Sequence, residues 1–119
     1  MAPISDVRPL SADERALLEW LLRHGIPAAE QYLDQLDRVT VVSRCSCGCP
    51  TIDLAVDGNT APMSAGSDIL ADFEARPPEG GLIGILLHVR IGLLSELEVY
   101  SISGEQQPTS LPRIQDIAR

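Results

Sequence analysis

Leu17, Leu18, Leu21 and Leu22 recur at alternating short intervals, the spacing that lines one face of an α-helix with apolar side chains. Just ahead of them, Ser11-Ala12-Asp13-Glu14 has the form of a capping box. The Ser11 hydroxyl can accept from the third helical amide while Glu14 reaches back to the amide of Ser11. Gly25 supplies a left-handed stop, and Pro27 suits the first turn of a second helix with Ala29, Tyr32, Leu33 and Leu36 on one face. Two short helices joined by His24-Gly25-Ile26 are expected as an antiparallel or crossed pair, preceded by a flexible N-terminus over residues 1–10.

From Arg38 onward the helical repeat gives way to the two-residue repeat of a strand. Val39 and Val41 alternate with polar neighbours as far as Cys45, and Ile52, Leu54 and Val56 alternate with Thr51, Asp53 and Ala55. Between them, Ser46-Cys47-Gly48-Cys49-Pro50 reads as a turn, with Gly48 free to take positive φ and Pro50 lacking a donor. The two runs make a hairpin. Asp57-Gly58-Asn59 opens a looser stretch through Gly66. Residues 68–76 admit a short helix capped by Ser67, but Ile69, Ala71, Phe73 and Ala75 alternate with polar or apolar partners in the manner of a strand, which is the expectation adopted. Pro77-Pro78-Glu79-Gly80-Gly81 ends it.

Leu82 to Arg90 places Ile83, Ile85, Leu87 and Val89 on one face. Ile91-Gly92 is a tight turn, and Leu93 to Ser103 returns with Leu97 and Val99 on one side and Glu96, Glu98 and Tyr100 on the other. Residues 104–119, with Pro108 and Pro112, read as an extended C-terminal strap that docks Leu111, Ile114 and Ile117 and ends in at most one helical turn. The expected architecture is a single α+β domain over residues 1–119, with two N-terminal helices packed on one face of a four- to five-stranded antiparallel meander sheet.

Composition narrows the chemistry. The chain has 119 residues, 45% hydrophobic and 22% charged, which is ordinary for one globular domain. All basic residues are arginines, which removes Schiff-base, P-loop and general-base lysines from consideration. A net charge of −8 without any basic run argues against nucleic acid as a partner. No signal peptide is visible, and no apolar run approaches the roughly 18–20 residues of a membrane span. Three cysteines within five positions make a poor disulfide framework. A cytoplasmic protein with no membrane partner is the expectation.

Cys45, Cys47 and Cys49 form Cys-x-Cys-x-Cys at the predicted turn. Sulfurs around one zinc sit roughly 3.7 Å apart, whereas Cys45 and Cys49 in a straight strand would be about 13 Å apart at Cα. They converge only if the chain folds back at Gly48, with His88 as a fourth ligand or His24 as the other choice. Against zinc, separated Cys-x2-4-Cys pairs are missing, and cysteine is often buried without metal. Packing or turn geometry is therefore preferred, with zinc as the alternative and no cofactor otherwise implied. A reactive thiol would need a lowered pKa, for which Arg44 and the turn amides are the candidate sources.

His88 falls opposite the predicted core face, as a surface or partner-facing residue, and His24 reads as a helix-end cap. Glu96 and Glu98 share a strand face but read as solvated carboxylates rather than as an acid/base pair. No catalytic residue is assigned, and phosphate loops, nucleophile elbows and His-Glu-x-x-His motifs are absent.

Arg44-Cys45-Ser46-Cys47-Gly48-Cys49-Pro50, followed by Gly92-Leu93-Leu94-Ser95-Glu96-Leu97-Glu98, resembles a group of small uncharacterised bacterial proteins with an R-C-x-C-G-C-P turn and a late G-x-L-S-x-L-E hairpin. The resemblance runs from the first helix to the last strand. It implies a bacterial cytosolic origin and transfers no catalytic residue.

The expected function is a non-enzymatic protein-interaction domain that works through an open sheet face or edge, as a homodimer or with another protein. Its interface residues would be Val42, Leu86, His88, Glu98, Tyr100 and Ile102. One subtype is an inhibitor-like or immunity-like partner of a basic protein, steered by the negative charge. The alternatives are a structural zinc protein using Cys45, Cys47, Cys49 and His88, and a thiol-dependent enzyme.

Overall fold

The computed structural model describes residues 3–62, 64–104 and 108–118. Its first element is a strand, β1 (Ile4–Pro9), paired antiparallel with β2 (Val39–Arg44). This corrects the expectation of a flexible N-terminus over residues 1–10 at positions 4–9, while residues 1 and 2 lie outside the described residues. Too polar to announce itself by alternation, β1 is held by backbone pairing, by an Asp6–Arg44 ion pair to β2 at 4.0 Å and by Arg8. The Arg8 guanidinium donates to both carboxylate oxygens of Glu14 at 2.7 and 2.8 Å. Glu14 lies in the helix α1 (Ala12–His24), whose capping box forms as its sequence dictates. The Glu14 amide donates to Ser11 Oγ at 3.1 Å, and the Ser11 amide donates to Glu14 Oε1 at 2.8 Å.

Gly25 ends α1 for a different reason from the one expected. Its backbone is extended, at φ −78° and ψ −154°, rather than left-handed. A Cβ there would overlap the carbonyl oxygen of Leu70, to which the Ile26 amide donates at 2.9 Å. Close approach of a neighbouring strand, not positive φ, demands the glycine. The following segment, Pro27–Arg38, is a run of 3-10 turns instead of the expected α-helix. It buries Ala29 and Leu36 and keeps Tyr32 and Leu33 partly covered.

The remaining strands are β3 (Ile52–Val56), β4 (Asp68–Ala75), β5 (Ile83–Arg90) and β6 (Leu93–Ser101). The sheet has six strands in the order β1-β2-β3-β6-β5-β4. The expected α+β class and antiparallel pairing hold. The count of four to five strands and the meander order do not, because the chain crosses from β3 to the far edge at β4 and returns through β5 to β6. The physical reason lies in β3 and β6, which pair at Ile52–Leu97 and Asp53–Glu96, a long-range register that local patterning does not encode.

Leu17, Leu18, Leu21 and Leu22 belong to one core with Val41, Leu54, Ile85, Leu87, Leu97 and Val99. Each such fully buried side chain contributes about 1.5–3 kcal/mol. Trp20 meets Phe73 of β4 edge-on, with ring centroids 4.9 Å apart. The last described residues, Pro108 to Ala118, are extended apart from one 3-10 turn at Ile114–Asp116. They dock on the free edge of β4, where Ile117 bridges Ala75. Among the described residues no helix is long and apolar enough to cross a membrane.

The β1–β2 ladder shifts register between Ser5 and Arg8, and a bulge interrupts each of the β2–β3, β5–β6 and β4–β5 ladders. Val42 is the extra residue of β2 against β3, Ser95 of β6 against β5, and Leu70 of β4 against β5. They explain why buried positions break strict alternation at Leu70-Ala71 and at Leu94 and Leu97. Between them runs a cross-strand row of Ser43, Asp53, Glu96, His88 and Ile69.

Candidate functional site

The sheet side opposite Ile85, Leu87, Leu97 and Val99 is set by the alternation of β5 and β6. His88 pairs with Glu96 and Ile69, Leu86 with Glu98 and Asp72, and Gly84 with Tyr100 and Glu74. Asp53 adjoins Glu96 from β3. Five carboxylates therefore surround Leu86, His88 and Tyr100. Like charges in direct cross-strand positions destabilise a sheet, and Asp53 against Glu96 is such a pair.

Chemistry within this face follows from partial burial. The His88 ring nitrogen Nε2 lies 2.8 Å from Glu98 Oε1, while Nδ1 is buried without a partner. Burial holds the Glu96 carboxyl above its ordinary range, with the charges of Asp53 and Glu98 adding to the effect and His88 and Arg90 opposing it. Burial also raises the Tyr100 phenol, helped by Asp72, Glu98 and Glu74. The bulge at Ser95 is pinned by its hydroxyl, which donates to the His88 carbonyl at 3.2 Å. A bulge re-aims the side chains beside it.

Of the expected interface residues, the fold brings Leu86, His88, Glu98 and Tyr100 together. Val42 is the unpaired bulge residue of β2, separated from β6 by β3, and Ile102 lies beyond the end of β6 with its amide bonded to the Leu82 carbonyl. The carboxylates of Asp53, Asp72 and Glu74 escaped notice in the sequence because nothing local reveals which strands adjoin.

The cysteines occupy the β2–β3 turn. Gly48 takes φ +90°, its amide reaches the Cys45 carbonyl at 3.4 Å, and the Cys45 amide bonds to Thr51 at 3.3 Å. This folding-back brings the three sulfurs within 4.8 Å of one another, and Cys45 Sγ lies 2.8 Å from Cys47 Sγ. The Cys47 and Cys49 amides donate to the sulfurs of Cys45 and Cys47 at 3.5 and 3.4 Å. Cys47 is exposed, and Cys45 and Cys49 are half-buried, so none is a core residue. Accepting from both neighbouring thiols and from the Cys49 amide, the Cys47 thiol is lowered to about 7, while Cys45, its principal donor, is raised to about 11. The neighbouring thiols, rather than Arg44, lead this effect.

His88 does not join the cysteines. It belongs to a separate group with Glu96 and Glu98, also within mutual reach of 4.8 Å. The other histidine, His24, bonds through Nδ1 to the Trp20 carbonyl at 2.8 Å and stacks on the indole. A concavity of about 460 Å³ lies between residues 77–83 and the C-terminal strap. Of its charged lining residues Glu79, Arg113 and Asp116, the last two are paired with each other at 3.1 Å, and neither the cysteines nor His88 lines it.

Comparison with known proteins finds no matching family model, no matching curated protein and no matching solved structure.

Proposed function

We propose that this chain is a non-enzymatic protein-interaction domain of the bacterial cytoplasm, in which α1 and the 3-10 segment cover the apolar side of the sheet and the opposite side docks a cationic partner. The observation that carries this reading is the carboxylate set Asp53, Asp72, Glu74, Glu96 and Glu98 around Leu86, His88 and Tyr100. The arrangement opposes folding through like-charge proximity, and arginine or lysine side chains from a partner would relieve it. A net charge of −8 would also accelerate such an encounter. Two copies meeting through this face would set carboxylate against carboxylate, so a homodimer would use the β1 edge, where Val7 is 74% exposed. Three free cysteines, Cys47 among them exposed, suit a reducing compartment.

An arginine-rich decapeptide, titrated at low and high salt, tests the reading. Replacing Asp72, Glu96 and Glu98 together by their amides is expected to weaken binding at least about tenfold, since each partly screened pair is worth up to about 1 kcal/mol. Amidation of the distant Asp13, Glu30 and Asp34 leaves binding within about twofold on this reading. Equal losses from both triple variants would reduce the interaction to net charge and remove the face from the proposal.

A further inference from the structure

We infer that Cys45, Cys47 and Cys49 form an open, exchangeable binding site for one thiophilic metal ion of the Cu+ and Zn2+ class. In a straight strand the Cys-x-Cys-x-Cys spacing puts the sulfurs on one face but spreads them over about 13 Å, too far for one ion. Here Gly48 reverses the chain between them, and all three sulfurs lie within 4.8 Å of one another. Sulfurs bound to a common zinc or copper stand roughly 3.7 Å apart, a spacing close to the one the turn already imposes. The turn amides of Cys47 and Cys49 already point at sulfur. They would offset the negative charge that accumulates on a three-thiolate site, the role of supporting hydrogen bonds around metal ligands.

Three thiolates select soft cations over magnesium or calcium, which take oxygen. The ligand count also separates this site from the structural zinc centre with His88 that the sequence suggests. A structural zinc site is closed by four protein ligands, whereas His24 is bonded to Trp20, His88 lies with Glu96 and Glu98 apart from the cysteines, and Cys47 faces solvent. Backbone pairing of β2 with β3 secures the hairpin on its own. The ion is therefore cargo or signal rather than a staple of the fold. Binding displaces the thiol protons to buffer, with no change in the oxidation state of sulfur or metal.

The test uses the full reduced chain, stripped of metal and titrated anaerobically with Cd2+ and Zn2+, and with Cu+ held by a competing chelator. A sulfur-to-metal charge-transfer band, one ion per chain retained after desalting, and protection of the thiols from alkylation are expected. Each of Cys45→Ser, Cys47→Ser and Cys49→Ser should weaken binding about a hundredfold, with the melting temperature of the metal-free protein nearly unchanged. His88→Ala should leave binding intact. Absence of the band with all three ions would overturn the proposal. So would undiminished binding in Cys47→Ser, or loss of binding in His88→Ala with its fold preserved. The decapeptide titration reads the sheet face independently.

Discussion

The ring of Tyr100 occupies the space where a Cβ on Gly84, its cross-strand partner, would stand. A methyl group there would come to 2.6 Å from the phenolic oxygen and closer still to the ring carbons. The glycine is thus the floor on which an aromatic side chain of the acidic face rests, and the pair sets how far Tyr100 stands from Asp72, Glu98 and Glu74.

Gly84→Ala is expected to lift the ring and destabilise the protein by about 1–3 kcal/mol, the usual range for overpacking. Urea denaturation measures it. If the clash is the cause, adding Tyr100→Ala recovers most of the loss, and a fully additive double variant would refute the assignment.

The β5–β6 turn carries a backbone penalty that can be removed. Ile91 sits at φ 47° and is 67% exposed, with Gly92 following at φ 74°. A β-branched residue in the left-handed region costs about 1–2 kcal/mol, and Asn-Gly is the favoured pair at such turns. Ile91→Asn should raise stability by about 1 kcal/mol without changing the denaturant slope.

Glu14 links β1 to α1 and is 6% exposed. The Arg8 guanidinium holds its carboxyl below the ordinary value, opposed in part by burial and assisted by the Ser11 amide. Its contribution is therefore complete above the ordinary carboxylate range and disappears as pH falls through the lowered folded value. Glu14→Gln is expected to cost about 1–3 kcal/mol at neutral pH. The difference from the parent should close in acid, as followed by melting temperature against pH.

Glu96 has the opposite sign. Burial raises its folded value, so the folded state takes up a proton more readily than the unfolded chain, and stability declines as pH rises from the ordinary carboxylate range through the raised one. At neutral pH the full penalty is present. Glu96→Gln should stabilise by up to about 1 kcal/mol there and have no such advantage in acid. A destabilising effect at neutral pH would mean that its contact with the His88 charge outweighs burial.

Cys47 should be the first thiol modified. Its value of about 7, against about 11 for Cys45, predicts an iodoacetamide rate that rises through neutral pH, with mass-mapped labelling at Cys47 before Cys45. Simultaneous labelling that rises only in alkali would show that the neighbouring thiols do not stabilise the Cys47 thiolate.

Local patterning determined a good deal here. The capping box at Ser11 and Glu14, the hairpin turns at Gly48 and at Ile91-Gly92, and the strand over 68–75 rest on interactions between residues a few positions apart, so their spacing in the chain carries them. The opposite facing of Leu97 and Val99 against Glu96, Glu98 and Tyr100 followed from the two-residue repeat alone. Tertiary structure decided the rest. β1 forms because β2, some thirty residues on, offers it an edge, and Arg8 then reaches Glu14 at the start of α1. The neighbouring of β3 and β6 put Asp53 beside Glu96, and the bulges at Val42, Leu70 and Ser95 shifted which residues face the core. Gly25 is required by the Leu70 carbonyl of a distant strand. The three cysteines were legible as a motif, but their convergence depended on how tightly the chain reverses at Gly48. The separation of His88 from them depended on sheet order, a long-range pairing whose energy no short stretch of sequence contains.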